Sequence, residues 1–254
     1  MPGDYATLAP IYDTVGMADY ATAITPKLMD YAQRMDWLGR RIVVLGAGTG
    51  GAIEYLSQYP YTITGVDNAP EMLEVARRKM NIPGLSIKWL QLDMRDTGNQ
   101  IMTADMVIAL NVMNELNSLR DLETVFATAQ RILDSGKLFI FDLMTIQGLS
   151  ATGGTTEQLM YDDGQNVTVF STKDYDYERQ MQTVNYLIFR QQNGGWNRTE
   201  ARRILRTFPV QAVASLLQRN KFNIRTIMNN RLETYEPGVS RADRVIFFAE
   251  KQSA

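Results

Sequence analysis

Three glycines and two carboxylates are the residues whose types and spacing point to chemistry. The run RIVVLGAGTGGAIEYL, residues 41–56, sets Gly46, Gly48, Gly50 and Gly51 between a β-branched apolar run and a helical pattern. Glycines at such a junction let the backbone turn with positive φ, and bring main-chain N–H groups at a helix start close to a ligand. Gly46-x-Gly48-x-x-Gly51 satisfies a dinucleotide fingerprint. The same glycines also satisfy a second pattern, Gly46-x-Gly48-x-Gly50, so the loop alone leaves the ligand open. Asp67 ends the next apolar run, in GVDNAPEMLEVARRK, where a carboxylate accepts both hydroxyls of a ribose. Asp93 ends the third, in WLQLDMRD. A carboxylate there can accept from the exocyclic amine of adenine, with the following backbone N–H serving the ring nitrogen.

Composition narrows the chemistry further. Among the 254 residues there is no histidine and no cysteine. That removes the usual general base near neutral pH, cysteine nucleophiles, disulfides and thiolate metal sites. Carboxylates alone would have to hold a metal, so a metal-free site is expected. The formal net charge is −2 and no dense Lys/Arg cluster occurs, so the footprint of a nucleic-acid binder is missing. The N-terminus lacks a basic stretch followed by an apolar run, and no long uninterrupted apolar window occurs. No signal peptide and no membrane span are therefore expected, and the chain reads as soluble and cytoplasmic.

Periodicity supplies the elements that must position these groups. Residues 5–38 have helical spacing. Short β-branched runs then alternate with helices: strands over 42–45, 61–66, 86–92, 105–109 and 137–142, helices over 50–58, 70–80 and 119–133. This rhythm builds right-handed crossovers and a parallel sheet covered on both faces. After Met144 the runs alternate and are rich in Val, Thr, Tyr and Phe, with Asp163-Gly164 and Asn193-Gly194-Gly195 as turns, which predicts an antiparallel meander. A helix over 209–220 follows, then strands over 223–228 and 244–250 that should pair antiparallel at the sheet edge.

Taken in order, Gly46-Ala-Gly48-Thr-Gly50, VDNAPEMLEVARRK, QLDMRD and ILDSGKLFIFDL resemble class I S-adenosylmethionine-dependent methyltransferases over roughly residues 10–145. A helical preface of some forty residues before the glycine loop, and Asp93, separate this reading from a nicotinamide oxidoreductase. The resemblance implies an α/β fold: a doubly wound, mostly parallel seven-stranded sheet with a reversed edge strand. It implies a cofactor-binding domain over 1–150 and 208–254 with an N-terminal lid at about 1–38. Residues 151–207 would form an inserted antiparallel roof over the substrate, as in glycine and sugar-amine N-methyltransferases.

The resemblance also assigns residues. Gly46, Ala47, Gly48 and Gly50 would pass under the methionine part of S-adenosylmethionine, and Asp67 would hold the ribose with Asn68 and Met72 beside the adenosine. Asp93 and Met94 would meet the adenine, and Asn111 the methionine portion or the substrate. Tyr12 and Tyr20 would lie near the transferred methyl as catalytic candidates, Tyr12 also touching the cofactor. Asn114 and Asp142, at the open ends of strands, and Tyr161, Tyr186 and Arg206 in the meander are the substrate candidates. Two positions depart from the family pattern: Val44 replaces an acidic residue before the first glycine, and Ala69 replaces a capping serine. The expected acceptor is a small molecule, methylated on an amine or amidine nitrogen, because an amine needs only to shed a proton before attack whereas an alcohol needs a base during it. An O-methyltransferase, an NAD-binding oxidoreductase and a non-catalytic S-adenosylmethionine-binding protein are the alternatives. The roof, with seven Lys/Arg and seven Asp/Glu over 151–207, carries no charge hint. A monomer or homodimer is expected.

Overall fold

The computed structural model describes residues 3–253 except 83, 86, 102, 152, 153 and 193, and does not describe the side chains of 154–156. Ser86 of the expected third strand and Asn193 of the expected turn lie outside the described residues. The chain opens with α1 (Tyr5–Leu8), a 3₁₀ turn and α2 (Asp19–Arg34). The continuous helix expected over 5–38 is thus broken. Pro10 lacks a backbone donor, and Gly16 takes φ +77°, so the chain loops between the two helices and lays Tyr12 and Met17 along a cleft.

Crossovers follow: β1 (Arg41–Leu45), α3 (Gly51–Leu56), β2 (Thr62–Asp67), α4 (Pro70–Lys79), β3 (Ile87–Gln91), β4 (Ala104–Ala109), α5 (Leu119–Ile132) and β5 (Leu133–Met144). Ser118 caps α5 by accepting from the Asp121 N–H at 3.1 Å. After α6 (Ile146–Ala151) come β6 (Gly154–Asp162), β7 (Val167–Asp176), β8 (Met181–Gln192) and β9 (Gly195–Arg206), then α7 (Val210–Arg219), β10 (Phe222–Asn229) and β11 (Arg244–Lys251).

The main sheet has seven strands in the order β10-β11-β5-β4-β1-β2-β3. β1 through β5 are mutually parallel, and β11 runs antiparallel to both β5 and β10. The reversed strand, β11, pairs antiparallel with β10 at this edge of the sheet, as expected, and lies one place in from the rim. The physical reason lies in the side chains. Val245-Ile246-Phe247-Phe248-Ala249 is apolar on both faces and fully buried, which suits an interior strand, whereas β10 alternates with exposed Asn223 and Arg225 and suits the rim. The other four strands form a separate antiparallel sheet in sequence order, β6-β7-β8-β9.

Three cores hold these layers. One sheet face packs Phe139, Phe141 and Phe247 against Phe126 of α5 and Leu217 of α7. The other packs Val44, Ile108 and Phe248 against Leu28 of α2 and Ile53 of α3. A third joins the N-terminal segment to the second sheet: Leu8, Ile11 and Tyr12 pack with Val169, Val184 and Ile188, and with Met72 of α4. The second sheet and the segment before α2 thus form one apolar layer above the carboxyl ends of the parallel strands.

Candidate active site

The glycine loop forms the floor of the site. Gly46, Gly48 and Gly50 take φ of 65°, 56° and 88°, the left-handed region that favours glycine. A Cβ on Gly46 would lie 2.5 Å from Val112 Cγ2, and one on Gly50 would lie 2.3 Å from Met80 Cε. One on Gly48 would meet only Met72 Cε, at 3.3 Å. Packing against the β-branched Val112 excludes a side chain at Gly46, whereas at Gly48 and Gly50 a Cβ would first meet the flexible end of a methionine and the positive φ is the stronger reason for glycine. Gly46→Ala adds left-handed strain to a clash against Val112, so urea unfolding should show a loss of about 2–4 kcal/mol, with cofactor affinity falling in parallel.

Asp67, at the end of β2, ties this loop to α4. Its Oδ2 accepts from the Gly48 N–H at 2.8 Å and its Oδ1 from the Ala69 N–H at 2.9 Å. Ala69 has no capping side chain of its own, so the carboxylate satisfies a donor beside the start of α4. Desolvation pushes the Asp67 carboxyl up to about 6, against the pull of the backbone N–H groups. Asp93 is held differently. Arg95 grips both of its oxygens, the closest contact being 2.6 Å, and reaches Asp121 at 3.3 Å. That guanidinium holds the Asp93 carboxyl below the usual carboxylate range.

Above the ends of β1, β2 and β4 lies an open cleft. Of the residues assigned from sequence, Tyr12, Gly46, Ala47, Gly48, Asp67, Asn68, Met72, Asp93, Met94 and Asn111 line it. The segment carrying Tyr12 is fastened there by Asp13, which accepts from the Thr49 hydroxyl and from Lys79 at 2.8 Å. Burial pushes the Tyr12 hydroxyl up to about 12, so it faces the cleft as a neutral donor near neutral pH, not as a base.

Seven assigned residues are not in the lining: Gly50, Tyr20, Asn114, Asp142, Tyr161, Tyr186 and Arg206. The Asn114 amide is spent on the backbone. It donates to Met144 O at 2.9 Å and Arg206 O at 2.8 Å and accepts from Met144 N at 2.8 Å, stitching β5 to β9. Asp142 is fully buried, paired with Arg244, and accepts from the Asn111 N–H at 2.6 Å. Arg244 lies 3.8 Å from the centre of the Tyr20 ring, whose hydroxyl is buried without a hydrogen-bond partner among the described residues. Burial pushes that hydroxyl far up. Tyr161 and Tyr186 pack in the layer between the second sheet and the N-terminal segment, and Arg206 donates to Arg179 O at 3.0 Å.

The sequence reading did not single out Tyr5, Arg95, Glu115 and Arg203. Tyr5, Arg95 and Glu115 line the cleft. Glu115 Oε1 accepts from the Tyr5 hydroxyl and from Arg203 at 2.6 Å. Its place in the loop after β4, at the open end of the sheet, is the signal that marks it. No group of three or more His, Cys, Asp and Glu suited to a metal occurs among the described residues, and no described helix is long and apolar enough to cross a membrane.

The cleft offers three features that suit S-adenosylmethionine: the left-handed glycine floor, an ionisable Asp67 at the end of β2, and Asp93 with Met94 beyond it. Residues 42–136 match the methyltransferase domain family. A solved S-adenosylmethionine-dependent methyltransferase from Clostridium acetobutylicum ATCC 824 superposes with TM-score 0.83 at 20% identity, covering 98% of this chain and 99% of that one. The sugar N-methyltransferase KedS8 of Streptoalloteichus sp ATCC 53650 superposes with TM-score 0.70 at 16% identity, covering 93% and 87%. "Putative methyltransferase YqeM" of Bacillus subtilis (strain 168) is 24% identical over 213 residues, 83% of this chain and 84% of that protein. A ubiquinone biosynthesis O-methyltransferase of Xanthomonas oryzae pv. oryzae (strain PXO99A) is 28% identical over 137 residues, 52% of this chain and only 55% of that protein. Residues 42–136 are thus a methyltransferase domain, set in a chain with the fold of class I S-adenosylmethionine-dependent methyltransferases, and S-adenosylmethionine is the cofactor of such a domain.

Proposed function

We propose that this enzyme methylates an amine nitrogen of a small molecule. The observation that carries the reading is the carboxylate lining of the cleft: Asp67, Asp93 and Glu115 line it, and with Asp93 paired to Arg95 and Glu115 to Arg203 one negative charge is left in excess to favour a cationic acceptor. When bound, S-adenosylmethionine supplies a methyl group activated by its sulfonium. The residues of the chain position the acceptor and exclude water. Tyr12 offers a neutral donor, the glycine loop and Asp67 fix the cofactor end, and the layer formed by the N-terminal segment and residues 151–207 encloses the acceptor end as lid and roof. A sequence without histidine favours an acceptor that needs only to lose an ammonium proton before attack. The name of the neighbour KedS8 is consistent with this, while the O-methyltransferase relative favours a hydroxyl acceptor as the second reading.

The test is transfer of label from S-adenosylmethionine to glucosamine, 2-aminoethanol and benzylamine, each set against its hydroxyl counterpart. Product on the amines alone is expected. Product on the hydroxyl compounds alone establishes the second reading. Calorimetry with S-adenosylmethionine, its demethylated product and NAD runs beside it, with binding of the first two and none of NAD expected.

A further inference from the structure

A carboxylate–tyrosine–arginine cluster closes one end of the cleft, and nothing in the cofactor-binding machinery uses it. Glu115 lies in the loop after β4, Arg203 on β9 of the roof, and Tyr5 on α1. These parts of the chain meet at a single oxygen. Glu115 Oε1 accepts from the Arg203 guanidinium at 2.6 Å and also from the Tyr5 hydroxyl. The Arg203 and Glu115 side chains are only 8% and 11% exposed. The ring of Tyr12 stands 6.3 Å from that of Tyr5, tilted by 56°, and both tyrosines line the cleft together with Glu115. Oε2 receives no hydrogen bond among the described residues. A carboxylate so deeply placed keeps its full set of partners in most proteins. One oxygen held rigidly and the other left for the cavity is the arrangement of a binding group.

We infer that Glu115 is the acceptor's ammonium ligand and proton acceptor, an assignment that rests on the amine reading above. Arg203 and Tyr5 fix the carboxylate through Oε1 and act as positioning residues, and the Tyr5 and Tyr12 rings flank the cation. The acceptor's ammonium donates a hydrogen bond to Oε2 and then passes that proton to it. The freed nitrogen lone pair forms the new N–C bond to the methyl carbon. The C–S bond breaks with its electron pair going to sulfur, so the positive charge moves from sulfur to nitrogen. The proton on Glu115 leaves to solvent with the product. No oxidant, metal or further reactant enters the balance.

The experiment compares wild type, Glu115→Gln and Glu115→Asp with the best amine of glucosamine, 2-aminoethanol and benzylamine. Glutamine keeps a carbonyl oxygen for Arg203 and Tyr5 but can take no proton. Its kcat/KM should fall about 10–100-fold, the loss expected for a hydrogen bond to a charged partner. The rising limb of its pH profile should move up toward the free amine's own titration, because the amine must then arrive neutral. Affinity for S-adenosylhomocysteine, measured by calorimetry, should stay within about threefold of wild type, and that control separates a lost acceptor site from a lost fold. Glu115→Asp, which keeps the charge but withdraws it by one methylene, should raise KM with the pH limb in place. It decides the matter if glutamine prevents folding. Unchanged kcat/KM and pH limb in Glu115→Gln, or an unchanged KM in Glu115→Asp where glutamine prevents folding, overturns the assignment and leaves the amine reading standing. Transfer by wild type to hydroxyl compounds and to no amine overturns both.

Discussion

Asp142→Ala is expected to lower the free energy of unfolding by about 3–5 kcal/mol, the usual cost of orphaning one partner of a buried ion pair. Asp142 is 0% and Arg244 8% exposed. Burial pushes the Asp142 carboxyl up even though Arg244 and the Asn111 N–H pull it down, so the pair is costly to keep buried. The loss comes from what alanine leaves behind. Arg244 would retain only Asn111 Oδ1 at 3.2 Å and the face of Tyr20. The Asn111 N–H would lose a bond of 2.6 Å, and Asn111 sits at φ +57°, a strained position for a residue with a side chain. That bond holds the turn leading to Val112 and Glu115 in the cleft wall, so affinity for S-adenosylmethionine should fall along with stability. Urea titration with an unchanged m-value checks the first effect and calorimetry the second. Asp142→Leu with Arg244→Met removes both charges and should recover most of the stability. If Asp142→Ala costs less than about 1 kcal/mol, the ion pair does not hold this turn.

The fate of Asp142 illustrates what one sequence can and cannot convey. Its place at the carboxyl end of a strand is legible, and ligands bind at such ends. Which way its side chain turns depends on Arg244, 102 residues later, and no local pattern encodes that pairing. The cofactor floor was legible because its requirements are local: left-handed glycines after one strand, and acidic residues closing the next two. Asn114 resembled a site residue for the same positional reason, yet its amide joins two sheets through Met144 and Arg206. Glu115, next to it, turns into the cleft because Arg203 from β9 and Tyr5 from α1 meet it there. The break in the N-terminal helix was visible in Pro10 and Gly16, but the helical spacing on either side outweighed them. The antiparallel edge pairing of the two last strands was legible too, and the contrast between the wholly apolar Val245–Ala249 and the alternating residues of β10 accounts for which of them lies inside. Composition near the sheet edge and strand direction are separate questions, and the first decides which strand is interior.

Asp67→Ala is expected to weaken S-adenosylmethionine binding by about 100-fold or more, since hydrogen bonds to a charged acceptor contribute about 1.5–3 kcal/mol each and two ribose hydroxyls are served. The same mutation frees the Gly48 and Ala69 N–H groups, at 2.8 and 2.9 Å from the carboxylate, so the glycine loop loosens as well. Wild type should show the role through pH. The cofactor-free carboxyl stands at about 6 because desolvation disfavours its charge, and the ribose hydroxyls donate to the ionised form. Binding therefore draws a proton off Asp67 at low pH, and affinity should fall about tenfold between about pH 7 and about pH 5. The folding contribution has the opposite sign. A carboxyl raised in the folded state stabilises the cofactor-free protein fully only below its unfolded value, and that contribution is lost as pH rises through about 6. The increase in Tm on adding S-adenosylmethionine should accordingly grow as pH rises from about 5 to about 7. Asp67→Ala should show neither trend in this window, because Asp93 already titrates below the usual carboxylate range. Equal pH dependence in wild type and Asp67→Ala would place the ribose contact elsewhere.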